Sequence, residues 1–490
     1  MALPSAKAAE REHEVGFVVG AKQYLLSIEG LPSARVNDVV ADETGNRALV
    51  RALSDEYVTA LALDAVLPRS GARYGYLPQP HLFSLGEHLF GRIINALGEP
   101  IDGGEAFPAG NTPLVLDVDA VGIESRVPMR EQLYTGITLV DTLLPIAKGQ
   151  RQLVFGPLRS GKTTFLTDIV LNQRAYGVVC IYAIIGKSLS ELQIISETIL
   201  RKEEQAPNIV IAALSGQLSP VVALAPAVAF LVADHFQKQG KDVLIILDDL
   251  DAHAKYLREI ALLEERLPGR ESYPGDLFYQ HAHLMERSGS FDKATGGGSI
   301  TTLPVIEADS KDVSDLIPTN LMSCTDGHFS FDGALQAEGL YPALSEEQSV
   351  TRVGRHAQCL VQKQLSTRIR MLLGAHRRQR EYAQFGTQVS EEAQRVLHQG
   401  ELIEHTMRQE RYQRIPADVQ VPLLALTLTP FLLERDVAFL DGHKKALIAG
   451  LQEDSALQDL RQLARTDTPL TTYLERLEAK QEIFETLCRA

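Results

Sequence analysis

The sequence predicts a multidomain chain with an N-terminal β-barrel, a central α/β domain built on an open parallel sheet, and a C-terminal α-helical bundle. Short strand patterns separated by turns fill the region 14–80, and continuous apolar runs alternate with helical patterns within 81–360. Helical periodicity dominates 361–490, and residues 1–13 form a short tail rich in alanine and charge. A chain of 490 residues is long enough for several such cores.

Composition and charge narrow the classes of partner. The chain has 48 Lys and Arg against 63 Asp and Glu, a net charge of −15, which argues against nucleic acid as the main partner. No run of about 18 apolar residues stands out as a bilayer span, so membrane association is expected only through partners. The four cysteines are widely spaced, which indicates free thiols in a reducing compartment.

Closely spaced strand patterns predict the barrel in 14–80. Segments rich in Val, Leu, Ala and Tyr recur between turns, and the stretch 42–46 has the composition of a hairpin loop. Several short strands in so few residues close best into a small barrel, because closure leaves no unpaired sheet edge. We expect this domain to be a scaffold.

Uninterrupted apolar runs predict the strands of the central sheet, because parallel strands are covered on both faces. Helical patterns between the runs imply right-handed crossovers, and ligands of such sheets bind at the carboxyl ends of the strands. The predicted strands contain the runs 153–155, 178–185, 209–213, 243–247 and 303–306.

A phosphate-binding loop follows the first run. Its members have the spacing G-x-x-x-x-G-K-T and are Gly156, Pro157, Leu158, Arg159, Ser160, Gly161, Lys162 and Thr163. A buried strand before the loop and a helical pattern after it are the context that this motif requires. Lys162 would reach the β- and γ-phosphates and the Thr163 hydroxyl would hold Mg²⁺, so the central domain is predicted to be a RecA-like P-loop NTPase domain. The alternative is a glycine turn before an ordinary helix.

Two aspartates end the run 243–247. Asp248 is the predicted second Mg²⁺ residue, acting through water, with Asp249 as a neighbour that caps or orients. The alternative is that both carboxylates cap the next helix. A general base is less evident, because the neighbouring run ends at Lys187, which cannot accept a proton from water in its protonated form. Glu191, one helical turn later, would more simply pair with Lys187.

Together these features resemble those of the α subunits of F-type rotary ATP synthases. The resemblance is to a divergent branch of that family. The resemblance rests on collinear blocks along most of the chain, namely 134–137 with Asp141, 145–146, 149–151, 248–250, 268–276, 303–307, 312–314, 317–320, 325–327 and 349–354. It implies the same three-part fold, with ATP or ADP and Mg²⁺ as ligands.

The resemblance also implies a role in a complex. Three α and three β subunits would alternate around a γ shaft, with catalysis in β and a non-catalytic nucleotide in α, coupled to H⁺ or Na⁺ transport through the membrane sector. The ε subunit and the peripheral stalk would join through the complex, at the cytoplasmic face of the cell membrane. The chain alone is expected to be catalytically inactive.

Two residues match positions that α subunits contribute to the β site. Arg352 matches the arginine lent across the interface, where a planar guanidinium suits developing phosphoryl charge, and Ser323 matches a second lining residue. The alternative for Arg352 is an ordinary surface arginine. Lys187 stands where catalytic β chains carry glutamate and α subunits usually carry glutamine.

Several positions depart from the α pattern. Pro157, Leu158 and Arg159 replace aspartate, arginine and glutamine, while Gln336 and Tyr341 replace an aromatic residue and an arginine near the nucleotide. A glutamine pair near the base becomes Gln409 and Arg411, so triphosphate binding is expected to survive better than adenine recognition. The N-terminal region is shorter than usual, which predicts a branch that works without the δ subunit.

Two other functions remain open at the level of sequence. A self-sufficient homohexameric motor for protein export or RNA translocation would use Glu191 as base and Arg352 against its own copy. A paralogue without nucleotide binding would persist as a structural member of the ring.

Overall fold

The computed structural model describes residues 14–66, 69–76, 82–110, 112–113, 118–200, 206–309, 314–384 and 390–489. Its strands, numbered β1 to β19 in chain order, are Val15–Lys22, Leu25–Glu29, Val39–Asp42, Arg47–Leu53, Val58–Ala62, Arg73–Tyr76, Leu82–Phe83, Ile93–Asn95, Thr112–Pro113, Gln132–Leu133, Ile146–Ala147, Gln152–Gly156, Val179–Lys187, Asn208–Leu214, Asp242–Asp248, Gly289–Ser290, Ser299–Glu307, Gly327–Phe331 and Leu344–Thr351.

The α-helices follow the same convention. In chain order, α1 to α16 are Thr138–Leu143, Lys162–Gln173, Leu189–Ile199, Ser219–Gln237, Leu250–Leu263, Leu277–Glu286, Leu316–Cys324, Gly333–Ala337, Leu360–Gln384, Glu391–Met407, Ala417–Ala425, Pro430–Leu433, Val437–Glu453, Gln458–Leu463, Leu470–Glu478 and Gln481–Leu487.

The described chain forms two compact units. The first comprises the described residues within 1–128, 153–155 and 177–325, and the second comprises those within 129–152, 156–176 and 326–490. The predicted tail 1–13 and the predicted boundary at 80/81 lie outside the described residues, and the boundary at 360/361 remains a prediction.

Six antiparallel strands confirm the predicted barrel in the first unit. They close in the order β1-β2-β5-β4-β3-β6, and the predicted loop 42–46 joins β3 to β4. The barrel interior is apolar because alternate side chains point inward, as Leu26 and Ile28 do on β2 and Val50 does on β4.

The second element of the first unit is a sheet in the order β12-β17-β15-β13-β14-β8. Parallel pairing joins β17 to β15, β15 to β13, β13 to β14 and β14 to β8. Its strands contain the five predicted apolar runs, except that β13 begins one residue after the start of the run 178–185, and the side chains of these runs are almost entirely buried, as continuous apolar sequence requires. Asp248 ends β15 and Lys187 ends the adjacent β13, so both residues lie at the carboxyl edge of the sheet.

The expectation that no apolar run is long enough to cross a bilayer was wrong. Helix α4, Ser219–Gln237, has 19 residues and a mean hydropathy of 1.6 over its most apolar window, which is long and apolar enough to cross a membrane. Yet 78% of that window is buried inside the protein, against the sheet of the first unit. The helix is therefore a core element, which is hydrophobic for the same reason as a membrane span.

The second unit combines the phosphate-binding loop and its helix α2 with the β18–β19 hairpin and the helices α9 to α16. This confirms the C-terminal helical bundle. The buried Asp141 joins residues of this unit that are distant in sequence. Its carboxylate accepts hydrogen bonds from Thr135 N (2.8 Å), Thr135 Oγ1 (2.7 Å), Gly136 N (2.9 Å) and Gln420 Nε2 (2.8 Å). Burial raises the pKa of Asp141 to about 6 in spite of these bonds.

Candidate nucleotide-binding site

The phosphate-binding loop has the conformation that its sequence predicts. Helix α2 begins at Lys162, and Gly161 caps it with φ 91°, a left-handed conformation that favours glycine. Gly156 leaves no room for a side chain, since an added Cβ would lie 2.5 Å from Cβ of Phe331. The Lys162 ammonium donates hydrogen bonds to the carbonyls of Gly156 (2.6 Å) and Pro157 (2.8 Å), which holds its side chain against the loop.

Two hydroxyl groups in the loop fit a polyphosphate ligand. Ser160 is 1% exposed, and its Oγ has no hydrogen-bond partner among the described residues, although a buried hydroxyl normally has one. The described residues give the Thr163 hydroxyl no hydrogen bond either, so it remains available as an oxygen ligand for Mg²⁺. The departures Leu158 and Arg159 lie at the exposed tip of the loop, where Arg159 has φ 60°. A phosphate oxygen at this helix N-terminus would satisfy the orphaned donors.

The carboxylate of Asp248 is surrounded differently, within the first unit. Its Oδ1 lies 3.0 Å from the Lys187 ammonium, and its Oδ2 accepts a 2.8 Å hydrogen bond from the Tyr182 hydroxyl. Asp248 and Tyr182 are both buried. No group of three or more His, Cys, Asp or Glu in the described part of the chain could hold a metal ion. The Mg²⁺ role of Asp248 therefore remains a prediction. The groups that contact its carboxylate, an ammonium and a tyrosine hydroxyl, do not resemble the ligands of a metal ion.

The neighbouring carboxylates have structural tasks. Asp249 caps helix α5 by accepting a 2.6 Å hydrogen bond from Ala252 N, while Asp248 does not cap it. Burial, reinforced by the charge of Asp248, raises the pKa of Asp249 to about 7. Glu191 forms a capping box with Ser188 at the start of α3 and lies 3.7 Å from the Lys187 ammonium. The predicted pairing of Glu191 with Lys187 is thus present.

Arg352 follows β19 in the second unit, and its side chain is exposed. Its backbone N donates a 3.1 Å hydrogen bond to the carbonyl of Asp326, whereas its guanidinium makes no hydrogen bond or ion pair among the described residues. Asp326 is itself held by Arg151, through Nε (3.0 Å) and Nη2 (2.7 Å). The backbone that carries Arg352 is anchored, while its charge is presented to solvent.

Ser323 lies in the first unit, near the end of α7. Its side chain is exposed, and its hydroxyl donates a 2.6 Å hydrogen bond to the carbonyl of Asn320. The role of Ser323 at a partner's site stays a prediction.

Gln409 is buried in the second unit, and its side-chain amide is hydrogen-bonded to backbone groups. Its Oε1 accepts from Thr138 N (2.6 Å), and its Nε2 donates to the carbonyls of Gly136 (3.0 Å) and Gln413 (2.9 Å). The Tyr341 hydroxyl is similarly committed to Asp168. Binding of the base by Gln409 remains a prediction, and its contacts here position the backbone.

Sequence reasoning missed Tyr182 as part of this region. It is fully buried within the aliphatic strand β13, and burial, reinforced by the charge of Asp248, raises its pKa well above the ordinary value. A buried tyrosine hydroxyl normally needs a partner, so a tyrosine in an otherwise aliphatic run was the available signal.

Comparisons with known proteins agree with this geometry. Residues 136–351 match the family model described as ATP synthase alpha/beta family, nucleotide-binding domain, and residues 358–480 match ATP synthase alpha/beta chain, C terminal domain. A protein named ATP synthase subunit alpha from Clostridium acetobutylicum is 39% identical over 74% of this chain and 72% of its own length.

Two further relatives bearing the same name cover nearly the whole chain. The protein from Caldanaerobacter subterraneus is 34% identical over 94% of this chain and 91% of its own length. The protein from Dictyoglomus turgidum is 34% identical over 92% of this chain and 91% of its own length. The chain therefore belongs to the ATP synthase alpha/beta family, as one of its alpha subunits.

Proposed function

We propose that this chain holds ATP or ADP without cleaving it and completes the catalytic site of a β subunit in the F1 sector of a rotary ATP synthase. The observation that carries the proposal is an intact phosphate-binding loop in a chain whose candidate carboxylates, at the end of β15 and in the first turn of α3, are otherwise engaged. Asp248 is paired with Lys187, Asp249 caps a helix, and Glu191 closes a capping box. These contacts support the proposal, because a general base must be free to accept a proton from an attacking water.

The chain's own residues act on the nucleotide by binding and orientation. Backbone N–H groups at the start of α2 would face the phosphate oxygens, Lys162 would neutralise the β- and γ-phosphates, and Ser160 would donate its unused hydrogen bond. Mg²⁺, when bound with the nucleotide, supplies additional positive charge to the phosphates, and Thr163 is the residue that would hold it.

Arg352 acts on the partner's nucleotide. Its exposed guanidinium would reach the β site and stabilise the negative charge that develops on the transferred phosphoryl group. Ser323 would line the same site. Because the partner supplies the water-activating group, turnover would require both subunits.

The proposed assembly is an alternating α₃β₃ ring around γ, with ε and the peripheral stalk joined through the complex. The complex would lie at the cytoplasmic face of the cell membrane and couple ATP synthesis or hydrolysis to H⁺ or Na⁺ transport. Neither the relatives nor the family matches support the homohexameric export or RNA motor, and the capping role of Glu191 further disfavours it as a catalytic base.

Purified chain, tested with and without a β subunit and γ, would check this proposal. We expect nucleotide binding but no steady Mg²⁺-dependent ATP turnover by the isolated chain, and turnover after assembly. Steady hydrolysis by a homohexamer of this chain would contradict the proposal.

A further inference from the structure

Helix α2 connects the phosphate-binding loop to an exposed aromatic residue through the carboxylate of Asp168. Asp168 lies about 9 Å along the helix axis from Lys162. Its Oδ2 accepts hydrogen bonds from the Tyr341 hydroxyl and from the backbone N of Tyr412 (3.2 Å). The carbonyl of Tyr341 in turn accepts from the backbone N of Gln409 (3.1 Å). These residues and the loop all belong to the second unit.

The segment that leads to Tyr341 packs against the loop itself. A Cβ added to Gly156 would lie 2.5 Å from Cβ of Phe331, and one added to Gly333 would lie 3.6 Å from Cγ of Pro157. One stretch of chain therefore contacts the loop near its start and helix α2 at Asp168. The surface around Tyr341 is thus within reach of the nucleoside of a nucleotide whose phosphates occupy the loop.

Tyr412 is held on this surface in an uncommon backbone conformation. Its φ is 64°, in the left-handed region that bulky residues rarely adopt, and the residue is 48% exposed. The hydrogen bond to Asp168 holds this backbone in place, and such strain is concentrated at sites that clamp ligands. Arg411 is also exposed. Burial raises the pKa of the Tyr341 hydroxyl and the charge of Arg411 opposes that rise, so the guanidinium lies near Tyr341.

The side chains that could read the edge of a base are already hydrogen-bonded. Gln409 donates its amide hydrogens to two backbone carbonyls, and the Tyr341 hydroxyl is bound to Asp168. A glutamine recognises adenine by a bidentate contact to the edge of the base, which requires a free amide. The ring of Tyr412 and the guanidinium of Arg411 instead offer flat faces, on which a base of any kind can stack.

We propose that the base of the bound nucleotide stacks on Tyr412 beside Arg411, so that this chain binds nucleoside triphosphates with little dependence on the identity of the base. The inference rests on the proposed function, because it concerns the nucleotide held by the loop that begins at Gly156. The loop binds the phosphates, which all nucleoside triphosphates share. Stacking adds affinity through the π-face, which every base also has.

Displacement of a ribose-labelled fluorescent ATP analogue from the full chain, in excess Mg²⁺, tests the proposal. The competitors are ATP, GTP, CTP, UTP and inorganic tripolyphosphate. We expect the Kd values of the four nucleotides to agree within about fivefold, and tripolyphosphate to bind at least about tenfold more weakly, because it has no base to stack. A preference for ATP beyond that fivefold range would overturn the inference, and that result does not depend on any variant folding.

Variants of Tyr412 test the stacking surface itself. Tyr412→Ala should weaken the binding of all four nucleotides by a similar factor of about tenfold and leave that of tripolyphosphate unchanged, whereas Tyr412→Phe keeps the ring and should bind as the unaltered chain does. Tyr382→Ala removes another exposed tyrosine of the second unit and is the matched control. Unchanged nucleotide affinities in Tyr412→Ala would remove the stacking role. Failure of the labelled analogue to bind the unaltered chain would instead contradict the proposed function.

Discussion

Arg151 and Asp326 are joined by four hydrogen bonds that link the start of β12 to the start of β18. Arg151 donates from its backbone N (2.9 Å), Nε (3.0 Å) and Nη2 (2.7 Å) to the carboxylate, and Asp326 N donates to the Arg151 carbonyl (2.8 Å). Asp326 in turn accepts from the backbone N of Arg352. The bidentate pair therefore fixes the backbone that presents the exposed guanidinium.

Replacing Arg352 tests its action on a partner site. Arg352→Ala should leave assembly and the chain's own nucleotide affinity unchanged, and it should lower ATP turnover of the assembled complex by about 10³-fold, the scale of an arginine finger. Steady-state hydrolysis by purified complexes measures this. Arg368→Ala, another exposed arginine, is the matched control and should keep full turnover. Unaltered rates in Arg352→Ala would remove the trans-acting role.

Weakening the Arg151–Asp326 pair should also lower ATP turnover of the complex, but by less than removing the Arg352 side chain does. Asp326→Asn weakens the hydrogen-bonded ion pair with Arg151, so the backbone at Arg352 is held less firmly. We expect turnover of the complex to fall by about 10- to 100-fold, because Arg352 is then misplaced. Arg151→Ala should give a similar loss, since both changes break one pair. The discriminating measurement is the double variant Asp326→Asn with Arg352→Ala. If the anchor acts through Arg352, the double variant should be no slower than Arg352→Ala alone.

Removing the loop lysine should abolish nucleotide binding. Lys162→Ala deletes the ammonium that the loop carbonyls of Gly156 and Pro157 hold in place. We expect affinity for labelled ATP to fall by at least about 100-fold, because a charge-assisted contact to phosphate is lost. Lys445→Ala, which removes an exposed lysine paired with Glu410, should bind as before. Retained affinity in Lys162→Ala would place the nucleotide elsewhere.

The buried Asp141 should give the stability of the chain a particular pH dependence. Its pKa is raised to about 6 by burial, so the folded state keeps its proton over a range in which the unfolded state has lost it. This group's contribution to stability is therefore fully present below about pH 4 and is lost as pH rises from about 4 to 6. Urea titrations at several pH values in this range measure the free energy of unfolding. That free energy should fall with rising pH in the unaltered chain, and Asp141→Asn should remove the part of this pH dependence that Asp141 contributes. An identical pH dependence in both proteins would contradict the assignment.

Local patterns predicted the barrel, the sheet and the loop because each has a signal within a few consecutive residues. Short segments rich in Val, Leu, Ala and Tyr between turns mark barrel strands, continuous runs mark buried parallel strands, and G-x-x-x-x-G-K-T marks the loop. The sequence analysis missed Ser219–Gln237 as an apolar run of bilayer length, and hydropathy alone does not distinguish a membrane span from a core helix, since both environments select apolar residues. Burial against the sheet decides it.

Contacts between separate strands were harder to predict. The pairing of Lys187 with Asp248 depends on β13 and β15 being neighbours, which sequence separation does not reveal. Lys187 was instead assigned its nearest carboxylate, Glu191, a contact that exists at 3.7 Å but is longer than the 3.0 Å contact to Asp248. Gln409 shows the same limit, because its backbone partners at 136 and 138 are remote in the chain.

The ion pair at the end of β15 also limits how this chain could evolve. Exchanging Lys187 for glutamate would put another carboxylate beside Asp248 and Asp249 and would deprive Glu191 of its counter-charge. Crowded buried carboxylates cannot all ionise, so the substitution would raise the pKa of one or more of them and weaken the fold. Lys187→Glu alone is therefore expected to lower the stability of the chain, so glutamate could be accommodated at this position only together with compensating changes at its acidic neighbours.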